Sequence, residues 1–372
     1  MNREGKAAGQ IPELDSGDLL RELRRRTGRP ELEFSEPPKL LGQGGEARVD
    51  GFRLSKAPPE LDGPLVLRRL AVDRDPREVE LERAVHAALA AQGFPVPRVL
   101  LVGTDPAPLG SPYLVSERLH GRALLQEVHR PDQLLAHPTR LPGLVGEALF
   151  RVPKLLGEVQ ARLHALDAAT FRDDVAKAGV DATRMGYPAR LDRVASLIQE
   201  HHLSGLAPGL EWLRRHAPES TSEVVCHGDL VFTNLFVDDG AVTGVFDWSC
   251  VAVADPAYDM AATLIRLESR IPGVPRVLGP LFRAAQKRLA RGYQRSYRLQ
   301  RSIDAKRVHY FDAFWTLYEL TGSGVNLRQG ARPVAEVEGR WLHPETIHFG
   351  VERFRARTGI ELAPLQADES SA

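Results

Sequence analysis

Apolar positions change their spacing twice along the chain. Residues 1–38 read as a polar lead-in carrying one amphipathic helix that begins near Ser16, with Leu19, Leu20 and Leu23 on one stripe. Over residues 40–119 short apolar runs are broken by glycine and proline, and one strongly helical segment interrupts them. This predicts a mostly antiparallel sheet carrying a single helix. Asp75 as a cap, Pro76 in the first turn and Gly93 ahead of the next prolines mark that helix's ends. After Gly121 helical spacing dominates, as in VPKLLGEVQARLHALD, where Leu155, Val159, Leu163 and Leu166 share a face. One block breaks this pattern: two strand-like runs, 234–237 and 241–246, flank a turn at Asp238, Asp239 and Gly240. The expected organisation is α+β in three parts. An extension (1–38) with one helix precedes a sheet lobe (39–119), and a larger, mainly helical lobe (120–372) holds the hairpin.

Composition narrows the partners. Forty-nine Lys and Arg balance 49 Asp and Glu, so nothing calls for a nucleic acid or an anionic membrane. No apolar run reaches the ~18 residues of a membrane span, and MNREGKAAGQIPELDSG lacks a signal core; a cytoplasmic location is the expectation. Cys226 and Cys250 have no metal-ligand spacing and read as reduced thiols.

Candidate chemistry concentrates in the hairpin block. His227, Gly228, Asp229 and Leu230, followed after three residues by Asn234, reproduce the kinase catalytic-loop spacing H-R-D-L-x-x-x-N with glycine in place of arginine. Asp247 follows 13 residues after Asn234. A loop of this length lets Asp229 meet an acceptor hydroxyl while Asn234 and Asp247 turn oxygens towards a magnesium ion, the combination phosphoryl transfer requires. The full run VVCHGDLVFTNLFVDDGAVTGVFDWS, followed by DPAYD, resembles the signature of the aminoglycoside-phosphotransferase and choline-kinase superfamily. The resemblance implies a protein-kinase-like, two-lobed fold and a small-molecule kinase acting with Mg2+ and ATP or GTP. Asp229 becomes the catalytic base, and Asn234 and Asp247 the metal ligands. Asp259 would brace the catalytic loop from the helix that Asp255 and Pro256 open, and His227 reads as a buttress rather than a proton carrier.

The nucleotide half of the site is written less distinctly. Gln43, Gly44 and Gly45 in LLGQGGEARV form a turn where bare backbone can approach phosphates. The strand at 65–70, where kinases carry a lysine, has Arg68 and Arg69 instead. Period-two alternation puts Val66 and Arg68 on one face, so Val66 roofs the adenine and Arg68 reaches the phosphates, with Arg69 as the alternative. A glutamate on the inserted helix should pair with that arginine. Glu82 falls among Val79, His86 and Leu89 on the buried stripe, where an unpaired charge is costly, with Glu78 one turn earlier as the other choice. SPYLVSERLHGRAL resembles the family's hinge, which implies main-chain adenine contacts near Glu117 and Leu119.

The acceptor is a small hydroxyl-bearing molecule whose identity the resemblance leaves open. From residue 261 onward, 18 Lys and Arg outnumber 11 Asp and Glu, which disfavours a polycationic aminoglycoside. Tyr310, Phe311, Phe314, Trp315 and Tyr318 on one helix read as a core stripe or as the lining of an apolar pocket for a bulkier alcohol. Two rival readings stand beside the kinase: a catalytically silent nucleotide-binding module, to which the missing lysine points, and a metal-dependent hydrolase using the same carboxylates on water.

Overall fold

The computed structural model of the chain describes residues 11–43, 47–72, 74–124, 141–219, 222–272, 274, 277–330 and 341–363. The chain divides into two compact units, one of residues 1–121, 173–180 and 236–249, the other of 122–172, 181–235 and 250–372.

The first unit is built on a five-stranded antiparallel sheet in the order β1-β2-β3-β5-β4, with β1 Glu33–Gln43, β2 Ala47–Ser55, β3 Pro64–Leu70, β4 Val99–Gly103 and β5 Tyr113–Glu117. In β3 the alternation predicted from the sequence is visible: Leu65, Leu67 and Arg69 are buried, Val66 and Arg68 half-buried. The inserted helix runs from Glu78 to Ala91, starting later than Pro76, because Asp75 accepts the Arg77 N–H (2.9 Å) in a turn ahead of it. From Phe236 onward the hairpin Leu235–Asp238/Ala241–Val245 belongs to this unit, and Asp239 and Gly240 at its tip both have positive φ.

Residues read as an extension turn out to be part of this core. Helix α1 (Ser16–Thr27) is capped by Asp15, which accepts from the Gly17 (2.6 Å) and Asp18 (3.3 Å) amides, and it ends at Gly28 with φ 68°. Its Leu19 and Leu23 are fully buried against Phe52, Leu65, Leu67 and Val115, each burial stabilising by roughly 1.5–3 kcal/mol. Strand β1 likewise begins inside the segment assigned to the extension. Tyr113 on β5 donates its hydroxyl to Glu22 (2.6 Å), whose carboxyl the Arg25 hydrogen bond holds below its ordinary pKa. Arg69 completes the attachment. It is solvent-excluded and donates to the carbonyls of Leu109 (3.2 Å) and Pro12 (2.9 Å), and burial lowers its pKa.

The second unit is mainly helical: α3 Val152–Leu163, α4 Tyr187–Glu200, α5 Ala207–Arg215, α6 Pro256–Glu268, α7 Gly279–Arg298, α8 Ala305–Arg328 and α9 Pro344–Thr358, with a short antiparallel ribbon of Val224–Cys226 and Ala252–Ala254. Helix α6 is buried over nearly its whole length and α8 packs along it. The buried face of α3 is centred on Leu156 and Gly157, leaving Leu155 and Leu166 half-buried. A side chain at Gly157 would come within 2.8 Å of Ser296 Cβ, Tyr297 N and Tyr293 O, so only glycine lets α3 and α7 approach this closely. Tyr310, Phe311, Phe314 and Trp315 pack with Tyr187 and Tyr258 as core, and of the α8 aromatic run only Tyr318 is partly open. The core reading of that stripe therefore holds.

A charged network ties α6, α8 and α9 together. Arg353 donates to Asp312 Oδ1 (2.7 Å) and Oδ2 (2.5 Å) and to Glu268 (2.7 Å), while Arg357 adds a bond to Asp312 (3.3 Å). Asp312 is buried and Arg353 is only slightly open, and removing Asp312 takes two of the arginine's three hydrogen bonds among the described residues and leaves it with Glu268 alone. Asp312→Ala is expected to cost about 3–5 kcal/mol in denaturant unfolding; a loss under about 1 kcal/mol would mean that α9 does not depend on this pair.

Candidate active site

The catalytic-loop segment crosses the helical unit between the Val224–Cys226 strand and the hairpin, and its shape is imposed from below by α6. Helix α6 opens with Asp255, which caps the Ala257 N–H (2.7 Å), and Pro256 in its first turn. One turn on, Asp259 is completely buried and accepts the backbone amides of His227 (3.1 Å) and Gly228 (2.6 Å). His164 Nε2 lies 3.0 Å from the same carboxylate, and its Nδ1 lies 2.8 Å from the Tyr297 hydroxyl on α7. Burial opposes ionisation of Asp259, but the hydrogen bonds from His164 and Gly228 outweigh it and keep the pKa below the ordinary aspartate value. His164, Cys226 and Asp259 bring potential metal-ligand atoms within 4.8 Å of one another; His164 and Asp259 are hydrogen-bonded to each other, Cys226 turns its Sγ to backbone carbonyls, and burial pushes its thiol up.

Glycine in place of the kinase arginine now has a reason. Gly228 has φ 77°, and a Cβ there would stand 2.2 Å from the Cys250 carbonyl oxygen. Beyond it, His227 is buried and accepts the Asp229 amide at Nδ1 (3.2 Å), which fits the buttress role. Asn234 donates Nδ2 to the Asp229 carbonyl (2.9 Å), closing the loop and leaving Oδ1 as its remaining acceptor. Thr263 on α6 donates to the Leu230 carbonyl (3.1 Å).

Sequence reasoning missed Arg266. Its Nε forms an ion pair with Asp229, its Nη2 reaches Glu319 on α8 (3.1 Å), and its guanidinium lies over the Trp315 ring (5.0 Å). The opposing carboxylates outweigh burial and raise the arginine's pKa. Asp259, Thr263 and Arg266 follow one another at helical spacing in an otherwise apolar helix, a polar stripe that would have pointed to the loop.

The remaining predicted residues lie in the sheet unit. Arg68 Nη1 is ion-paired with Glu82, whose neighbours Val79, His86 and Leu89 are buried. Glu78 pairs with Arg74 (2.8 Å) and Glu80 with Arg83 (2.9 Å). Val66 shares the half-buried face of β3 with Arg68. Glu117 accepts from the Arg98 amide (2.9 Å) through its side chain, and its own N–H donates to the Arg98 carbonyl (3.0 Å). Leu119 is half-buried just beyond β5, and Gln43 is exposed at the end of β1; Gly44 and Gly45 lie outside the described residues. Asp247 follows the hairpin with φ 65°, a left-handed conformation uncommon outside glycine, and accepts from Ser249 Oγ (2.9 Å). Trp248 beside it is buried, donates to Val245 O (3.2 Å) and meets Phe94 edge-on.

A sequence model described as the phosphotransferase enzyme family matches residues 52–299. The aminoglycoside 3'-phosphotransferase of Streptomyces fradiae is 30% identical over 183 residues, 48% of this chain and 61% of that protein. Acyl-CoA dehydrogenase family member 11 of Mus musculus is 27% identical over 256 residues, 66% of this chain, which spans only 28% of that protein's length. In three dimensions the chain is similar to a thermostable mutant of aminoglycoside phosphotransferase APH(4)-Ia (TM-score 0.50, 20% identity, 91% of this chain and 98% of that one). It is also similar to macrolide 2'-phosphotransferase type I (TM-score 0.50, 17% identity, 95% and 99%). These likenesses establish the kinase-like fold, a small antiparallel sheet lobe with a larger helical one.

Asp259 gives the loop a pH signature. Because its folded pKa is depressed, its contribution to stability is present above the ordinary aspartate value of 3.8 and is lost as pH falls through the folded value. Asp259→Asn puts an N–H against amides that require an acceptor. The stability gap between wild type and variant is expected to be widest near neutrality and to narrow below about pH 4. A gap independent of pH in urea unfolding would show that ionised Asp259 does not hold the loop.

Proposed function

The chain belongs to the phosphotransferase enzyme family, and from that premise we propose that it is a small-molecule kinase moving the γ-phosphoryl group of ATP or GTP onto a hydroxyl. The observation carrying this reading is the catalytic loop itself, in which Asp229 and Asn234 are linked by one hydrogen bond and braced by Asp259. Arg266 holds one oxygen of Asp229, fixing the carboxylate so that it orients the acceptor hydroxyl and receives its proton as transfer proceeds.

Asn234 and Asp247 suit a magnesium ion. Both offer hard oxygen donors, the Asn234 amide is oriented by its own N–H bond, and Ser249 engages only Oδ1 of Asp247. When bound, the ion would neutralise phosphate charge as the bond to the leaving oxygen breaks. Arg68, steadied by Glu82, would grip phosphate oxygens in the role a lysine fills elsewhere, and its two-pronged fork suits that task. Val66 would roof the adenine, the main chain around Glu117 and Leu119 would read its edge, and the turn of Gln43, Gly44 and Gly45 would cover the phosphates. Residues 11–38 extend the sheet lobe, residues 39–119 would serve the nucleotide, and 120–372, apart from the hairpin that joins the sheet unit, would supply the loop and acceptor side.

The test is acceptor-dependent nucleoside diphosphate release with ATP and with GTP in magnesium, across aminoglycosides, macrolides, choline, amino alcohols and sugars. Asp229→Asn should lower turnover about 10²-fold or more while unfolding stays cooperative; undiminished turnover would refute the assignment. Nucleotide binding without turnover on any acceptor would favour the silent module instead. The two neighbouring arginines separate cleanly. Arg68→Ala is expected to raise the nucleotide KM with the fold intact. Arg69→Ala is expected to lower stability by about 1–3 kcal/mol, as one buried and one part-buried carbonyl lose their donor, with little change in KM. The opposite pattern would reverse their roles.

A further inference from the structure

The helical unit that carries Asp229 holds a second arginine that the proposed reaction does not use. Arg190 on α4 is half-buried and donates through Nη2 to the carbonyls of Cys250 (3.2 Å) and Val251 (3.1 Å). That Cys250 oxygen is the atom that crowds Gly228, so the guanidinium and the residue preceding Asp229 share one carbonyl as a neighbour. Tyr258, Cys250 and Tyr318 interact with the guanidinium electrostatically, and Tyr318 interacts likewise with Arg266 and Glu319. Within this cluster the two arginines differ. Arg266 is matched by two carboxylates, Asp229 and Glu319, whereas Arg190 forms no ion pair among the described residues. Its Nε and Nη1 make no hydrogen bond there either, and neither is sealed from solvent. A partly desolvated cation with neutral partners only is costly, and an anion arriving with a ligand removes that cost.

We infer that Arg190 anchors a carboxylate of the acceptor, so that the substrate is a hydroxy acid whose hydroxyl faces Asp229 and whose carboxylate meets the free edge of the guanidinium. The inference rests on the phosphotransferase reading for the role of Asp229. Arginine suits the task because its planar fork takes both oxygens of a carboxylate. The same cation, together with the basic excess of the C-terminal third, repels a polycationic acceptor.

The test uses the full chain with magnesium and a non-hydrolysable nucleotide analogue. Straight-chain hydroxy acids of three to six carbons and their methyl esters are titrated by calorimetry, and phosphoryl transfer to both sets is followed with ATP and GTP. At least one acid should bind about ten-fold or more tightly than its ester. Arg190→Gln should abolish that preference while leaving ester binding in place; a merely structural role would weaken both alike. Equal binding of acid and ester, no binding of any acid, or a preference that survives in Arg190→Gln overturns the proposal. Should the variant not fold, the wild-type preference and its loss at high salt decide the matter. Selective acid binding without phosphoryl transfer keeps the anchor and removes the kinase reading; equal transfer to acids and esters does the reverse.

Discussion

Asp259 is a carboxylate with no access to water, and three hydrogen bonds keep it ionised: two from the backbone amides of His227 and Gly228, one shared with His164. Leaving any of these groups unmatched in the interior would cost several kcal/mol, so the loop has little freedom once α6 is in place. His164 is in turn held by Tyr297, which reaches it because Gly157 lets α3 and α7 come together. The position of the catalytic loop is thus set by a chain of buried contacts running through three helices.

The same helix supplies the charge next to the loop. One turn of α6 separates Asp259 from Thr263, and the next reaches Arg266, so a single rigid element fixes the backbone at His227 and Gly228, the Leu230 carbonyl and the Asp229 side chain. Sites held by regular elements keep their geometry better than sites held by other loops. Charge is also balanced locally, since Arg266 is shared between Asp229 and Glu319 and neither carboxylate faces it alone.

What could be read from the sequence was what depends on neighbours along the chain. The hairpin at 235–245 declares itself through its turn, the loop spacing from His227 to Asn234 is local, and the facing of Val66 and Arg68 follows from strand periodicity alone. The Arg68–Glu82 pair needed one further step, the cost of an unpaired charge on an apolar stripe. Arg190, Arg266 and Glu319 stayed hidden because they come from α4, α6 and α8, and only tertiary packing brings Arg266 to Asp229, Glu319 to Arg266 and Arg190 to the Cys250 carbonyl. The lead-in helix reads as a separate extension for the same reason. Its polar anchor, Glu22, finds Tyr113 some ninety residues away, and its apolar stripe finds strands that the local pattern does not mention.

The most direct measurement is a phosphorus NMR time course of the full chain with magnesium, nucleoside triphosphate and a hydroxyl-bearing acceptor. The account predicts that the γ-phosphate resonance declines in step with the growth of a phosphomonoester signal on the acceptor. A γ-phosphate that persists, or that appears solely as inorganic phosphate, would contradict it.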